Sequence, residues 1–197
     1  MNLLFAIILG YFLGSLPFSY LVPKLFKGID IRTVGSGNVG ATNVLRSVGP
    51  LGAFIAFAGD IAKGIIATWV ALVIWGETAA LFAGMFAMLG HCYSFFLGFK
   101  GGKGVTTSAG IVLVLSPAIF GILFIFQALA IGTTKIVSLS SILAAVLFPL
   151  LAILMKQSEA FVLFSLFMSL FVIYRHRSNI VRLIRFEEPT IGKKATP

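Results

Sequence analysis

The side chains of this sequence that could do chemistry are concentrated in three short segments, and the first is rich in glycine. Residues 35–43, called the first loop, read G-S-G-N-V-G-A-T-N and are followed by Arg46. Glycines let backbone N–H groups converge on an anion, and Ser, Thr, Asn and Arg side chains donate to phosphate oxygens. No predicted β-strand precedes the G-x-G-x-x-G spacing, so a Rossmann nucleotide site is not expected. A flexible linker is the alternative, although nine such residues exceed what a turn needs. We predict catalytic roles for Ser36 and Arg46, and phosphate binding by Gly37, Asn38, Thr42 and Asn43.

The second segment combines glycines with lysines at the predicted start of a helix. Residues 99–104, called the second loop, read F-K-G-G-K-G and follow Gly90-His91-Cys92-Tyr93. The positive end of the helix dipole would point into this loop, which suits an anion, although the Walker pattern does not fit. Lysines that only anchor the chain at a membrane surface are the alternative, but anchors do not need the glycines. We expect His91 to be packed and hydrogen-bonded rather than a base. We predict a catalytic role for Lys103 and phosphate binding by Lys100, Gly101, Gly102 and Gly104.

The third segment, residues 175–183, reads R-H-R-S-N-I-V-R-L. Helical spacing places His176 and Asn179 on one face. A histidine ordinarily titrates near pH ~6.5, so His176 is a candidate general base. An arginine cluster that holds the last helix at the membrane surface is the alternative, but it leaves His176 and Asn179 unexplained. We predict catalytic roles for both.

Two further polar features lie inside long apolar stretches. Asp60 and Lys63 are spaced i and i+3 on a predicted helix, so they can pair and reduce each other's cost of burial. Ser138, Ser140 and Ser141 begin another helix, where serines usually donate to their own backbone. Ser141 is also predicted to bind phosphate or a developing oxyanion.

Composition indicates a membrane protein. Hydrophobic residues make up 59% of 197 positions and charged residues 11%, which excludes a water-soluble fold. The net charge of +9 comes from basic residues in short loops, where it predicts orientation rather than nucleic-acid binding. Six acidic residues without a cluster predict no metal, and no cofactor is expected.

The apolar runs predict an all-α, polytopic membrane helix bundle that forms a single domain over residues 1–197. The uncharged stretch 105–134 could be one long helix or two helices separated at Ser116-Pro117. With the break, thirteen of the fifteen basic residues lie on one side, whereas without it the loops divide seven and seven. We therefore predict seven transmembrane helices, with the N-terminus outside and the C-terminus cytoplasmic. The predicted spans are residues 3–22, 51–75, 78–97, 105–115, 117–134, 136–155 and 160–174, and the thirteen inside residues are Lys24, Lys27, Arg32, Arg46, Lys100, Lys103, Lys135, Arg175, Arg177, Arg182, Arg185, Lys193 and Lys194.

Together the three segments resemble the bacterial acyl-phosphate-dependent glycerol-3-phosphate acyltransferases (PlsY). That family carries G-S-G-N-x-G-A-T-N, G-H-x-Y…F-K-G-G-K-G and R-H-R-x-N-I-x-R-L followed by a Glu, and all three motifs occur here in order. The resemblance also includes Asp30-Ile31-Arg32 and spans essentially the whole chain. One departure is that the family usually has a Gly before the final Glu-Pro, where this chain has Glu187. We align Glu188 with the family's structural Glu.

The resemblance implies transfer of an acyl group from acyl phosphate to the 1-hydroxyl of sn-glycerol 3-phosphate, which gives lysophosphatidic acid and phosphate. This is the first step of phospholipid biosynthesis. It implies an enzyme of the cell inner membrane whose active site faces the cytoplasm, with membrane lipid around it, and we expect a monomer. The second loop should hold glycerol 3-phosphate, clamped by Arg46, Ser36 and Asn38. The base could be His176 or a substrate phosphate. A transporter or flippase for a phosphorylated solute is the alternative function, and a non-catalytic scaffold is a third.

Overall fold

The computed structural model describes residues 1–191. The regular secondary structure of these residues is entirely helical, with no strands. This confirms the predicted all-α class. Lys193 and Lys194, counted above as inside charges, lie outside the described residues. The helices are α1 (Asn2–Ser15), α2 (Phe18–Lys27), α3 (Ala41–Ser47), α4 (Pro50–Trp75), α5 (Glu77–Cys92), α6 (Val105–Leu115), α7 (Pro117–Thr134), α8 (Val137–Leu154), α9 (Glu159–Arg175) and α10 (Arg177–Ile184), with short 3-10 turns at Ile31–Thr33 and Phe95–Leu97.

Five of these helical segments are long and apolar enough to cross a membrane, which confirms a multi-pass protein. A sixth is reached if α9 and α10, which meet at a 59° bend, count as one span. The break at Ser116 is confirmed, because α6 ends at Leu115 and α7 begins at Pro117, whose missing N–H suits a first helical position. With only eleven residues, α6 is too short to cross by itself. The count of seven spans and the orientation of the termini remain predictions. The five long segments are Asn2–Lys27, Pro50–Trp75, Glu77–Leu97, Pro117–Thr134 and Val137–Leu154.

Among the described residues the chain forms two compact units, Met1–Leu115 and residues 116–191. In the first unit, α1 packs closely on α5 through small residues. A Cβ atom added at Gly10 would collide with the backbone carbonyl of Ala83, and one added at Gly14 would collide with that of Ala87. Both helices therefore carry a small residue every fourth position, which lets their backbones approach where lipid offers no hydrophobic driving force.

The close approach of α1 and α5 predicts a stability effect. Gly10→Ala forces the two backbones apart and should lower the free energy of unfolding by about 1–3 kcal/mol, as other overpacked sites do. Thermal unfolding of the detergent-purified protein measures it. Gly132→Ala in α7 is the matched control, because a Cβ there would meet nothing within 4 Å. Equal midpoints for the two variants would contradict the proposed contact.

A buried ion pair lies in the middle of α4. Lys63 Nζ is 2.8 Å from Asp60 Oδ1, and both side chains are only 2% exposed, as the i, i+3 spacing predicted. Lys63 also donates to the carbonyl of Leu16, where α1 ends, and Ser19 Oγ donates to Asp60 Oδ2. The pair thus gains two further hydrogen bonds from the α1–α2 junction, which offset part of the cost of burying two charges.

In the second unit, α8 carries the serines noted in the sequence. Ser140 and Ser141 donate to the carbonyl of Val137, as predicted for serines in such helices. Ser138 differs from these two serines, because its hydroxyl donates to Glu188 near the end of the described residues instead of to the backbone of α8. Ser141 also accepts a hydrogen bond from Gln127 of α7, at 3.0 Å.

Candidate active site

The first loop is folded around the side chain of Asn43. Its Nδ2 lies 3.0–3.1 Å from the carbonyls of Ile31, Val34 and Asn38, and its Oδ1 accepts the N–H of Ser36. Asn43 is 2% exposed. Its amide therefore shapes the loop, a role that sequence spacing did not reveal, and its predicted contact with phosphate remains a prediction.

Part of the backbone of the first loop is occupied by hydrogen bonds within this region of the chain. The N–H of Gly37 donates to Val34 and that of Gly40 donates to Asn38. Gly37 has φ +68°, a left-handed conformation that glycine adopts without strain. The loop thus contains tight turns, and the side chains of this segment that could donate to an anion include exposed Ser36 and half-buried Thr42 and Arg46 on α3.

The second loop closes over the end of α5. The N–H groups of Gly101 and Gly102 donate to the carbonyls of Cys92 and His91, at 3.0 and 3.1 Å. Two glycine amides of the loop thus cap a helix terminus, and the predicted binding of phosphate by Gly101 and Gly102 remains a prediction. The segment also carries Lys100, Lys103 and the first turn of α6, whose predicted contacts with phosphate remain predictions. That turn begins directly after Gly104, whose carbonyl accepts the N–H of Ser108.

Gly102 brings the first loop, the second loop and α5 together. A Cβ atom added at Gly102 would collide with the carbonyl oxygen of Val39 and with Nε2 of His91. Val39 belongs to the first loop and His91 to α5. The two glycine-rich motifs are therefore in contact, with no room for a side chain at this point.

An open cleft of about 450 Å³ lies where the two loops meet. Residues of both loops line it together with the short turn before the first loop. Arg32 forms an ion pair with Asp30, Nη2 to Oδ2 2.6 Å, and the hydrogen bond from this guanidinium lowers the pKa of Asp30 to about 2. Lys100 therefore adds positive charge to a rim whose other charged side chains are paired. The lining residues are Asp30, Arg32, Thr33, Gly37, Val39, Lys100 and Gly101.

Of these lining residues, Asp30, Arg32 and Thr33 were missed as site residues by the sequence argument. Arg32 was counted only as an inside charge. The string Asp30-Ile31-Arg32 already belonged to the family resemblance, and that signal could have found Asp30 and Arg32 but not Thr33.

His176 is buried at the 59° bend between α9 and α10. Its Nδ1 lies 2.8 Å from the carbonyl of Val172. Because a carbonyl only accepts, Nδ1 must carry the proton, and in the neutral ring the lone pair then lies on Nε2. That tautomer is the one a general base at Nε2 requires.

Glu188 gathers three donors of the second unit. Its carboxylate accepts from Ser138 Oγ at 2.7 Å, Asn179 Nδ2 at 2.6 Å and Arg182 Nε at 2.7 Å. Burial by itself raises the pKa of Glu188, but hydrogen bonds from these three residues more than compensate, and the pKa is lowered. Asn179, predicted to be catalytic, is thereby held in one orientation. These contacts support the alignment of Glu188, and not exposed Glu187, with the structural Glu of the resembling family.

We expect Glu188→Gln to lower the thermal midpoint at pH 7, whereas the neighbouring Glu187→Gln should leave it unchanged. A carboxyl whose pKa is lowered by folding contributes stability above the pKa of the unfolded chain, and loses it as pH falls through the folded pKa. The difference between wild type and Glu188→Gln should therefore shrink as the pH is lowered below the ordinary Glu pKa of ~4.3. Equal destabilisation by both variants, or a gap independent of pH, would contradict this role.

The fold and these loops define a multi-pass helical membrane protein with basic, glycine-rich segments suited to phosphate. Residues 4–186 match the sequence model of the family described as glycerol-3-phosphate acyltransferase, and the chain belongs to this family of acyltransferase enzymes. It is 45% identical over 189 residues to the glycerol-3-phosphate acyltransferase of Syntrophomonas wolfei, covering 96% of this chain and 97% of that one. The enzyme of the same name from Bacillus subtilis is 43% identical, covering 94% of this chain and 95% of that one.

Two crystal structures are also similar to this chain. Both are of PlsY (YgiH), an integral membrane glycerol 3-phosphate acyltransferase. The glycerol 3-phosphate form has TM-score 0.93 and 38% identity, and covers 98% of this chain and 96% of that one. The lysophosphatidic acid form has TM-score 0.91 and 36% identity, and covers 99% and 98%.

Proposed function

We propose that this enzyme transfers a fatty acyl group from acyl phosphate to the 1-hydroxyl of sn-glycerol 3-phosphate, giving lysophosphatidic acid and inorganic phosphate. The observation that carries the proposal is the match over residues 4–186 to the glycerol-3-phosphate acyltransferase family. The similar crystal structures support the proposal, because one is the glycerol 3-phosphate form and the other is the lysophosphatidic acid form of that enzyme. These two molecules are the expected second substrate and the expected product. No observation favours the transporter alternative.

The cleft between the first and second loops is the proposed site for a substrate phosphate. Lys100 lines it and Lys103 follows two residues beyond Gly101, so both lysines come from the segment that borders it. Ser36, Asn38, Thr42 and Arg46 are proposed to donate to phosphate oxygens from the first loop and α3. Gly101 and Gly102 are proposed to act through the shape of the second loop, and Gly104 is proposed to bind phosphate at the start of α6.

Acyl phosphate is already activated, so the enzyme needs to orient two substrates, stabilise charge and accept one proton. In the proposed reaction the glycerol 1-oxygen forms a bond to the acyl carbon, and the bond from that carbon to the phosphate oxygen breaks. Inorganic phosphate leaves with the electron pair, and the hydroxyl proton passes to Nε2 of His176 or to a substrate phosphate. Asn179 and Ser141 are proposed to stabilise the phosphate or the oxyanion.

We also propose that the enzyme is a single-domain monomer of the cell inner membrane. Its active site faces the cytoplasm, and it uses neither a metal nor another cofactor. The positive-inside bias of the loops supports that orientation.

The test is release of phosphate from palmitoyl phosphate by the detergent-purified protein, with and without glycerol 3-phosphate. Release that requires glycerol 3-phosphate, together with lysophosphatidic acid as product, is the expected result. Lys103→Ala should abolish it. Lys156→Asn is the matched control, because it removes a lysine whose φ of +53° asparagine tolerates. No release by folded protein would overturn the acyltransferase proposal.

A further inference from the structure

A chain of buried polar contacts runs from the junction of α1 and α2 through α4 to α5. Asp60 is bound by Lys63 and by Ser19, and Lys63 is tied to the carbonyl of Leu16. The proposed acyl transfer uses none of these residues. Burying a carboxylate and an ammonium group costs free energy. We therefore expect this ion pair to have a role beyond packing.

The chain of contacts continues to His91. Nδ1 of His91 lies 3.5 Å from Oδ1 of Asp60, and both side chains are buried. At the opposite side of the ring, Nε2 faces Gly102, since a Cβ there would collide with it. His91 also holds this glycine by its backbone, because its carbonyl accepts the N–H of Gly102. One residue thus contacts the buried carboxylate on one side and the second loop on the other.

We propose that His91, oriented by Asp60 and Lys63, is a positioning residue that fixes the second loop for binding of glycerol 3-phosphate. The inference rests on the proposed function, in which Lys100 and Lys103 bind a substrate phosphate. A rigid imidazole at this point sets how far the loop lies from α5 and therefore where the two lysines are presented. A binding loop displaced by even ~1 Å loses much of its effect, so the ring acts on affinity without touching substrate.

The charges around His91 explain how Asp60 takes part in positioning this residue. Asp60 Oδ1 faces Nδ1 of His91 at 3.5 Å, so the carboxylate favours one orientation of the imidazole ring. Lys63 prevents this carboxylate from being left as an uncompensated buried charge. Removing Lys63 alone should therefore disturb the position of His91 through Asp60.

Steady-state kinetics of three variants test the proposal. His91→Phe keeps a planar ring without nitrogen and should raise the KM for glycerol 3-phosphate about tenfold, a loss of about 1.4 kcal/mol in binding. The KM for palmitoyl phosphate should change less than about twofold. His91→Asn places an N–H donor near the position of Nδ1 and should recover part of the loss. Thr68→Val, a similarly buried change in α4, should leave both KM values unchanged.

A second measurement separates positioning from general loss of structure. Hydrogen exchange of the Gly101 and Gly102 amides should quicken in His91→Phe and in Lys63→Met, while exchange in the middle of α5 stays slow. If the thermal midpoint falls but neither the KM for glycerol 3-phosphate nor these amides respond, the proposal is overturned. Hydrogen exchange needs no turnover, so it tests the positioning even if the wild-type protein proves not to be an acyltransferase.

Discussion

His176→Ala is expected to reduce glycerol 3-phosphate-dependent phosphate release by about 10²–10⁴-fold, the usual contribution of a general acid–base group. The structure makes the expectation specific to one atom. Because Nδ1 is bonded to the carbonyl of Val172, only Nε2 can take up the proton in the neutral ring. His176→Asn places an N–H donor near the position of Nδ1 and lacks a basic nitrogen, so it should fail almost as completely.

The pH dependence of turnover distinguishes the two candidate bases. If His176 is the base, kcat of the wild type falls on the acid side, and the residual activity of His176→Asn lacks that fall. If a substrate phosphate is the base, His176→Asn keeps the same acid limb at a lower rate, and His176 is a binding residue. A variant with near wild-type turnover and an unchanged thermal midpoint would remove His176 from the mechanism.

Gly102→Ala is expected to abolish activity, with at least about a 100-fold loss in kcat/KM. One methyl group at this position collides with a backbone carbonyl of the first loop and with the ring of His91. Neither obstacle is the free end of a flexible side chain, so relief requires the two loops to separate. The phosphate-binding side chains on both loops would then move together.

Gly98→Asn is the control for Gly102→Ala. Gly98 lies just before the second loop with φ +60°, where a Cβ would meet nothing within 4 Å and asparagine accepts the left-handed conformation. Its activity should remain near that of the wild type. Phosphate release at varied glycerol 3-phosphate provides the comparison, and full activity of Gly102→Ala would show that the loops do not need their close contact.

Local patterns in the sequence were enough to predict the parts of the structure that depend on near neighbours. The pairing of Asp60 with Lys63 follows from i, i+3 spacing, and the helix boundary at Pro117 follows from the missing N–H of proline. The all-helical membrane fold and the family were likewise predicted and confirmed.

Contacts between distant segments were not predictable in the same way. Asn43 was assigned to phosphate from its residue type, but its amide is occupied by carbonyls of Ile31, Val34 and Asn38. The amides of Gly101 and Gly102 were predicted to bind an anion, but they donate hydrogen bonds to carbonyls at the end of α5. In both cases residue type indicated a polar, flexible segment, and only the three-dimensional path of the chain shows which acceptor each N–H meets.

The eleven residues of α6 rise only about 16 Å, roughly half of the ~30 Å hydrocarbon thickness of a bilayer. A helix this short in a membrane leaves a hydrophobic mismatch. Either the lipid bilayer is compressed locally or surrounding protein covers the ends of the helix. Thicker bilayers would make that compression more costly. Because Gly110, Ile111 and Val112 of α6 are buried, surrounding protein covers part of this mismatch and reduces the share that lipid has to accommodate.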